Sequence, residues 1–176
     1  MKTLRNLILL LVAGMIISSC GASYNEGKAR RAAEKEAERA ALAQALENAD
    51  VLFEITRIIP RGYPSRISSG EYALRPKKDV VTTRLPFIGD SHEAAYGGAD
   101  EISIVFKDEK VSLIKDFADA SKGEYRYQFR GGEGKDRWTV TIQAYDNGTA
   151  NIACQSLGGR YMSYFANVTI PRKDAE

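Results

Sequence analysis

An antiparallel, mainly β domain behind a charged N-terminal helix is the fold class that this 176-residue chain predicts. Three observations carry it. From Val51 onward, apolar residues recur at every second position, the spacing that turns one face of a strand toward a core. Short clusters of Gly, Pro, Asn and Asp separate these runs at hairpin distances. Between the runs there is no 3.6-residue apolar period, so the crossover helices that a doubly wound parallel sheet requires are missing. About nine strands result, forming either a sandwich or a flattened, partly open barrel, and periodicity does not choose between the two.

In chain order, four segments are expected: residues 1–19 as a signal peptide, 20–49 as a lipidated N-terminus and helical tether, 50–171 as the β-domain, and 172–176 as a tail. Lys2 and Arg5 precede an apolar run from Leu7 to Ile17. Eleven apolar residues are too few to span a bilayer, which takes about 20, but they suit the core of a secretory signal. Ile17-Ser18-Ser19-Cys20 follows, an aliphatic residue, two small ones and a cysteine. This order resembles the bacterial lipobox. The resemblance implies cleavage between Ser19 and Cys20 and acylation of Cys20. Two or more acyl chains hold a protein stably at a membrane where one does not. Gly21 in place of an aspartate, by likeness to lipoprotein sorting, implies the outer membrane. Residues 21–25 carry no acid, so a periplasm-facing position in the cell envelope is expected. Loss of residues 1–19 removes Lys2, Arg5 and no acid, leaving 23 bases and 23 acids. A neutral chain of this kind argues against a nucleic-acid partner.

Glu26 to Asn48 is dominated by strong helix formers, with five acids and five bases. Ser23 and Glu26 have the spacing of a capping box, and Arg30–Glu34 is a favourable i,i+4 pair. Large apolar residues occur only at Leu42 and Leu46, so only the last turns of this spacer are expected to dock on a domain.

The expected strands are Val51–Ile59 (stopped by Pro60), Glu71–Arg75, Asp79–Leu85, Glu101–Lys107, Val111–Phe117, a run through Tyr125, Tyr127 and Phe129, a run from Trp138 to Ala144, Ala150–Ser156 and Tyr161–Ile170. Pro76 with Lys77-Lys78-Asp79, Asp108-Glu109-Lys110, Asp146-Asn147-Gly148 and Leu157-Gly158-Gly159-Arg160 supply the turns. Trp138, Val140, Ile142 and Ala144 form the longest unbroken alternating set and are read as core. Met162, Tyr164, Ala166, Val168 and Ile170 are read as the inner face of the last strand.

Arg84-Leu85-Pro86-Phe87-Ile88-Gly89, Asn147-Gly148-Thr149-Ala150 and Arg160-Tyr161-Met162-Ser163-Tyr164 follow one another in this order behind the lipobox. Together they resemble domain-of-unknown-function family 4251, a group of small bacterial lipoproteins, over roughly Val51–Ile170. That family has no assigned activity, so the resemblance implies no catalytic or binding residue.

No catalytic set emerges from the residues, and a non-enzymatic protein is expected, with no cofactor and no metal. His92 beside Asp90 and Glu93 lacks a fourth ligand and a rigid frame. Cys154 shares the apolar face of its strand, which points to a buried, inert thiol. Gly131-Gly132-Glu133-Gly134-Lys135 lacks Walker spacing and a following helix, and reads as a hairpin turn. Asp100-Glu101 and Asp108-Glu109 are adjacent pairs that point to opposite strand faces and do not flank one bond. Binding is the better expectation. Tyr145, Tyr161 and Phe165 fall on outward positions, where rings stack on sugars, hold apolar ligands or anchor a protein partner. The expected function is therefore a periplasm-facing lipoprotein whose β-domain binds an envelope protein or a small ligand. The alternative is a carrier of lipid-like molecules in a half-open barrel lined by Tyr125, Tyr127, Phe129 and Trp138.

Overall fold

A computed structural model describes residues 19–68, 70–88, 103–134 and 137–171. Residues 1–18, where a signal peptide is expected, the segment Asp90–Glu93 and residues 172–176 lie outside the described residues. Helix α1 occupies Ser19–Asn48. It is followed by β1 (Leu52–Pro60), β2 (Arg66–Ile67), β3 (Ala73–Lys77), β4 (Val80–Pro86), β5 (Ser103–Lys110), β6 (Ile114–Asp116), β7 (Glu124–Gly131), β8 (Trp138–Tyr145), β9 (Thr149–Ser156) and β10 (Tyr161–Thr169). The second of two compact units begins at Arg39, so the last turns of α1 belong to the same unit as the sheet.

Nine strands form one antiparallel path in the order β5-β4-β3-β1-β10-β9-β8-β7-β6, and two-residue β2 pairs with β1 beside it. The two edge strands, β5 and β6, are consecutive in the chain and separated only by Val111, Ser112 and Leu113. A flat sheet of nine strands would hold its edges about 38 Å apart at about 4.8 Å per spacing. The link from Lys110 to Ile114 spans at most about 14 Å. The sheet therefore curls into a half-barrel, which settles the choice that periodicity left open. At the seam, the Phe106 and Phe129 rings meet edge to face at 6.1 Å, and the Gly132 N–H donates to the Glu109 carboxylate at 2.8 Å. Gly131 permits this approach, because a methyl there would lie 3.1 Å from the Phe106 ring.

The concave face is the core. Trp138, Val140, Ile142 and Ala144 of β8 are buried, as are Tyr125, Tyr127 and Phe129 of β7 and Met162, Tyr164, Ala166 and Val168 of β10. One end is filled by the docked helix terminus. Leu46 and Ala49 are fully buried, and the Tyr127 hydroxyl donates to the Leu46 carbonyl. Lys115 Nζ donates to the Glu47 carbonyl at 3.2 Å, and Arg39 pairs with Asp146 at 2.7 Å. The helix stops in a Schellman turn, with Asp50 N–H donating to Ala45 O and Ala49 N–H to Leu46 O, both at 3.0 Å. Ala49 takes φ 55° there. Glycine would adopt this conformation without strain, but it has no methyl to bury in the core. At the other end the Tyr164 hydroxyl reaches across to the Pro86 carbonyl at 2.8 Å. Phe87 tilts against Trp138 at 5.5 Å, and the Arg160 guanidinium covers both rings at 5.0 and 5.4 Å.

Several expected details differ. Helix α1 already runs through Ser23, so Ser23 does not cap it. Pro76 lies inside β3 instead of ending it; β1 pairs β3 only at Ala73 and Leu74, so few ladder bonds are asked of the proline. The strand expected over Val111–Phe117 shrinks to Ile114–Asp116, because the Val111 N–H turns aside to the Asp79 carbonyl at 2.7 Å. Asp108 lies within β5 at φ 49°, a bulge held by a 2.6 Å bond from the Thr82 hydroxyl. Ile170 falls past the end of β10 and is exposed.

Trp138→Ala is expected to cost about 3–5 kcal/mol in urea melts of the full chain, whereas Phe165→Ala on the outer face changes stability by less than about 0.5 kcal/mol. Tyr127→Phe removes one of the two hydrogen bonds to the Leu46 carbonyl, which keeps the Ala49 N–H, and should cost about 0.5–1.5 kcal/mol in the same assay.

Candidate functional site

The convex face of β8, β9 and β10 has a composition unlike the rest of the molecule. Its outward residues are Thr139, Thr141, Gln143 and Tyr145 on β8, Thr149, Asn151, Ala153 and Gln155 on β9, and Tyr161, Ser163, Phe165, Asn167 and Thr169 on β10. None of these thirteen is charged, although charged residues make up 27% of the chain. At that frequency three or four charges would be expected, and loss of charge is a mark of contact surfaces. The strands on either side restore it, with Glu124, Arg126 and Arg130 on β7 and Glu54 and Arg57 on β1.

Pairing arranges this face in rungs. Thr139, Gln155 and Tyr161 form one; Thr141, Ala153 and Ser163 the next; Gln143, Asn151 and Phe165 the third. The middle rung consists of small side chains, and a ring stands on β10 on either side of it. Strand geometry separates the two rings by about 13 Å. A groove of about 370 Å³ results, lined by Thr141, Gln143, Asn151, Ala153, Tyr161, Ser163 and Phe165, with Ile59 on its β1 side. Ile59, Tyr161 and Ser163 also line a second hollow of about 260 Å³ that reaches Pro60 and Arg61. Next to Phe165, β1 carries a bulge at Thr56, whose hydroxyl donates to the Phe165 carbonyl at 3.2 Å.

The polar groups of the groove differ in how far they are engaged. Gln143 Nε2 donates to the Glu124 carboxylate at 2.7 Å, and the Ser163 hydroxyl donates to the Ile59 carbonyl at 3.3 Å. Among the described residues, the Thr141 hydroxyl and the Asn151 amide make no side-chain hydrogen bond. Tyr161 and Phe165 are 39% and 44% exposed, enough to offer a ring face to a ligand.

Of the three expected surface rings, Tyr161 and Phe165 share the groove. Tyr145 does not: it is half-buried and opposes Glu124 at the far end of β8. The sequence reading missed Thr141, Gln143, Asn151 and Ser163 as groove residues. Their signal is the run of uncharged outward positions from Thr139 to Thr169, which becomes visible only once inward and outward are assigned on three strands together. His92 lies outside the described residues. Among the described residues no three His, Cys, Asp or Glu side chains are grouped to hold a metal. Cys20 falls within α1 near its start. Cys154 is fully buried, and burial pushes its thiol up to about 12.

The family model for the Domain of unknown function (DUF4251) matches residues 33–166. The chain belongs to the DUF4251 family. The match begins inside α1, so the family unit includes the docked helix end that the resemblance over Val51–Ile170 left out. A crystal structure of a DUF4251 family protein from Bacteroides eggerthii is similar in fold, with a TM-score of 0.51, 10% identity, and coverage of 76% of this chain and 88% of that one. No curated protein matches the chain.

Besides the Tyr125 phenol, burial raises three acids of this DUF4251 domain strongly: the Cys154 thiol and the Tyr127 and Tyr164 phenols. All three are neutral when protonated, so above pH 9–10 the unfolded chain loses protons that the folded chain keeps, and stability falls as pH rises. Each contributes a slope of up to about 1.4 kcal/mol per pH unit there. Urea midpoints measured from pH 7 to 11 should stay flat and then drop, and Cys154→Ala should make the drop shallower. In a Cys20→Ser background, native protein at pH 8 should resist thiol-reactive dye until urea exposes Cys154.

Proposed function

We propose that this chain is a non-enzymatic, periplasm-facing outer-membrane lipoprotein, held at the membrane through acylated Cys20, whose β-domain binds an envelope partner or ligand in the groove between Tyr161 and Phe165. The uncharged face of β8, β9 and β10 is the observation that carries the binding reading. It joins two exposed rings to unengaged polar groups over a floor of small side chains, and the neighbouring strands lack this combination. The anchor reading rests on Lys2, Arg5, the Leu7–Ile17 run and Ile17-Ser18-Ser19-Cys20, taken in that order. The non-enzymatic reading is supported by the inward, buried Cys154 and by the lack of a nucleophile–base pair among the groove residues.

The carrier reading has less support. Tyr125, Tyr127, Phe129 and Trp138 are all buried. Phe53 meets Tyr127 at 6.4 Å, and Phe117 meets Tyr125 and Tyr127 at 5.4 and 5.7 Å. Among the described residues these ring contacts fill the concave side around Tyr127, and Phe129 borders a hollow of about 350 Å³ together with Ile114 and Arg130.

Cys20→Ala should abolish labelling by radioactive palmitate and release the chain from sedimented envelopes; unchanged fractionation would remove the anchor from the proposal. A photo-crosslinking residue placed at Ser163 should give adducts in intact cells that the same residue placed at Gln128 does not.

A further inference from the structure

We infer that the groove binds an oligosaccharide of uncharged sugar units, a reading that rests on the groove being a binding surface and adds the chemistry of what it binds. A pyranose ring has an apolar face of C–H bonds and a rim of hydroxyls, each a donor and an acceptor. Stacking on an aromatic face takes the first, and amides and hydroxyls satisfy the second. The groove supplies both in one place. Tyr161 and Phe165 stand on the same strand face, with the small Ala153–Ser163 rung between them. The Asn151 amide offers two donors and an acceptor, and the Thr141 hydroxyl offers both roles.

Three features favour a glycan chain over other occupants. The rings are about 13 Å apart along β10, farther than a single sugar ring reaches, so the natural occupant is a short chain lying along the strand. None of the thirteen outward positions is charged, which matches a neutral ligand; the nearest charges stand at the rim, Arg57 opposite Phe165 on β1 and Glu124 bonded to Gln143. Tyr161 and Phe165, the large exposed apolar side chains among the thirteen, stand apart on either side of the small rung, whereas the centre of a protein interface is built from clustered anchors. Arg61 lies only at the far rim of the adjoining hollow.

The test uses the detergent-solubilised full chain on an array of neutral oligosaccharides of three or more sugars, with a galacturonate hexamer beside them, followed by calorimetry on the strongest binder. Binding to at least one neutral oligosaccharide is expected. Tyr161→Ala and Phe165→Ala should each weaken it three- to tenfold, Asn151→Ala should also weaken it, and Tyr145→Ala should leave it unchanged. If only the galacturonate hexamer binds, with loss in Arg61→Ala and retention in Tyr161→Ala, the neutral-sugar inference is overturned. If no oligosaccharide binds while the Ser163 crosslinks persist, the glycan inference falls and the groove remains a binding surface for another class of molecule. If the crosslinks are also absent, both fall.

Discussion

The three residues between β5 and β6 are the constraint from which the rest of the domain follows. They tie together strands that lie at opposite ends of a nine-strand path, and the sheet has to bend to satisfy them. Bending creates a concave volume that β-strand side chains must fill, and here the filling is largely aromatic. Phe106 and Phe129 close the seam, Phe53, Tyr127 and Phe117 occupy one end, and Trp138 with Phe87 occupies the other. Large rings suit this task because each covers much area with few rotatable bonds, and their edge-to-face contacts add to simple burial. The two most deeply buried phenols, Tyr127 and Tyr164, also find carbonyl partners, Leu46 and Pro86, so neither leaves an unpaired hydroxyl in the core.

The same bend explains why the molecule's distinctive surface is on the outside. With the concave side packed, the convex face is the one left open to solvent, and there outward side chains splay apart and small residues leave a hollow between larger ones. On β8, β9 and β10 that hollow coincides with a stretch free of charge. The ring pair on β10 and the amides beside it are positioned by regular pairing, seven residue pairs on either side of β9 without a bulge. A rigid platform of this kind loses little conformational freedom on binding.

Much of the fold was legible because alternation on a half-buried strand is hard to mistake. Trp138 to Ala144, Ala150 to Ser156 and Tyr125 to Phe129 each read as strands with the correct face inward, and Leu42 and Leu46 marked the part of α1 that docks. The misreadings share one cause, local chemistry outvoted by a tertiary contact. Val111–Phe117 has strand composition, but its first residue is claimed by Asp79. Pro76 reads as a terminator, yet it lies where little hydrogen bonding is demanded. Asp108 reads as a turn and is a bulge, because a short polar side chain tolerates a left-handed backbone. Barrel and sandwich could not be told apart because strand order is a long-range property that alternation does not record. The groove was half legible for the same reason: rings show individually in a sequence, but a shared face exists only once neighbours are known.

The route by which the chain enters the β-domain has a mechanical consequence. Tension applied at Arg39 does not pull on β1 directly. It is met first by the Arg39–Asp146 ion pair and by the seating of Leu42 and Leu46, and Tyr127 and Lys115 grip the helix terminus at its last carbonyls. These contacts involve a few side chains, whereas β1 is zipped to β10 along eight residue pairs. Under load the helix end would undock while the sheet and its convex face stayed intact, so the seat of the helix terminus is the joint that yields before the sheet does.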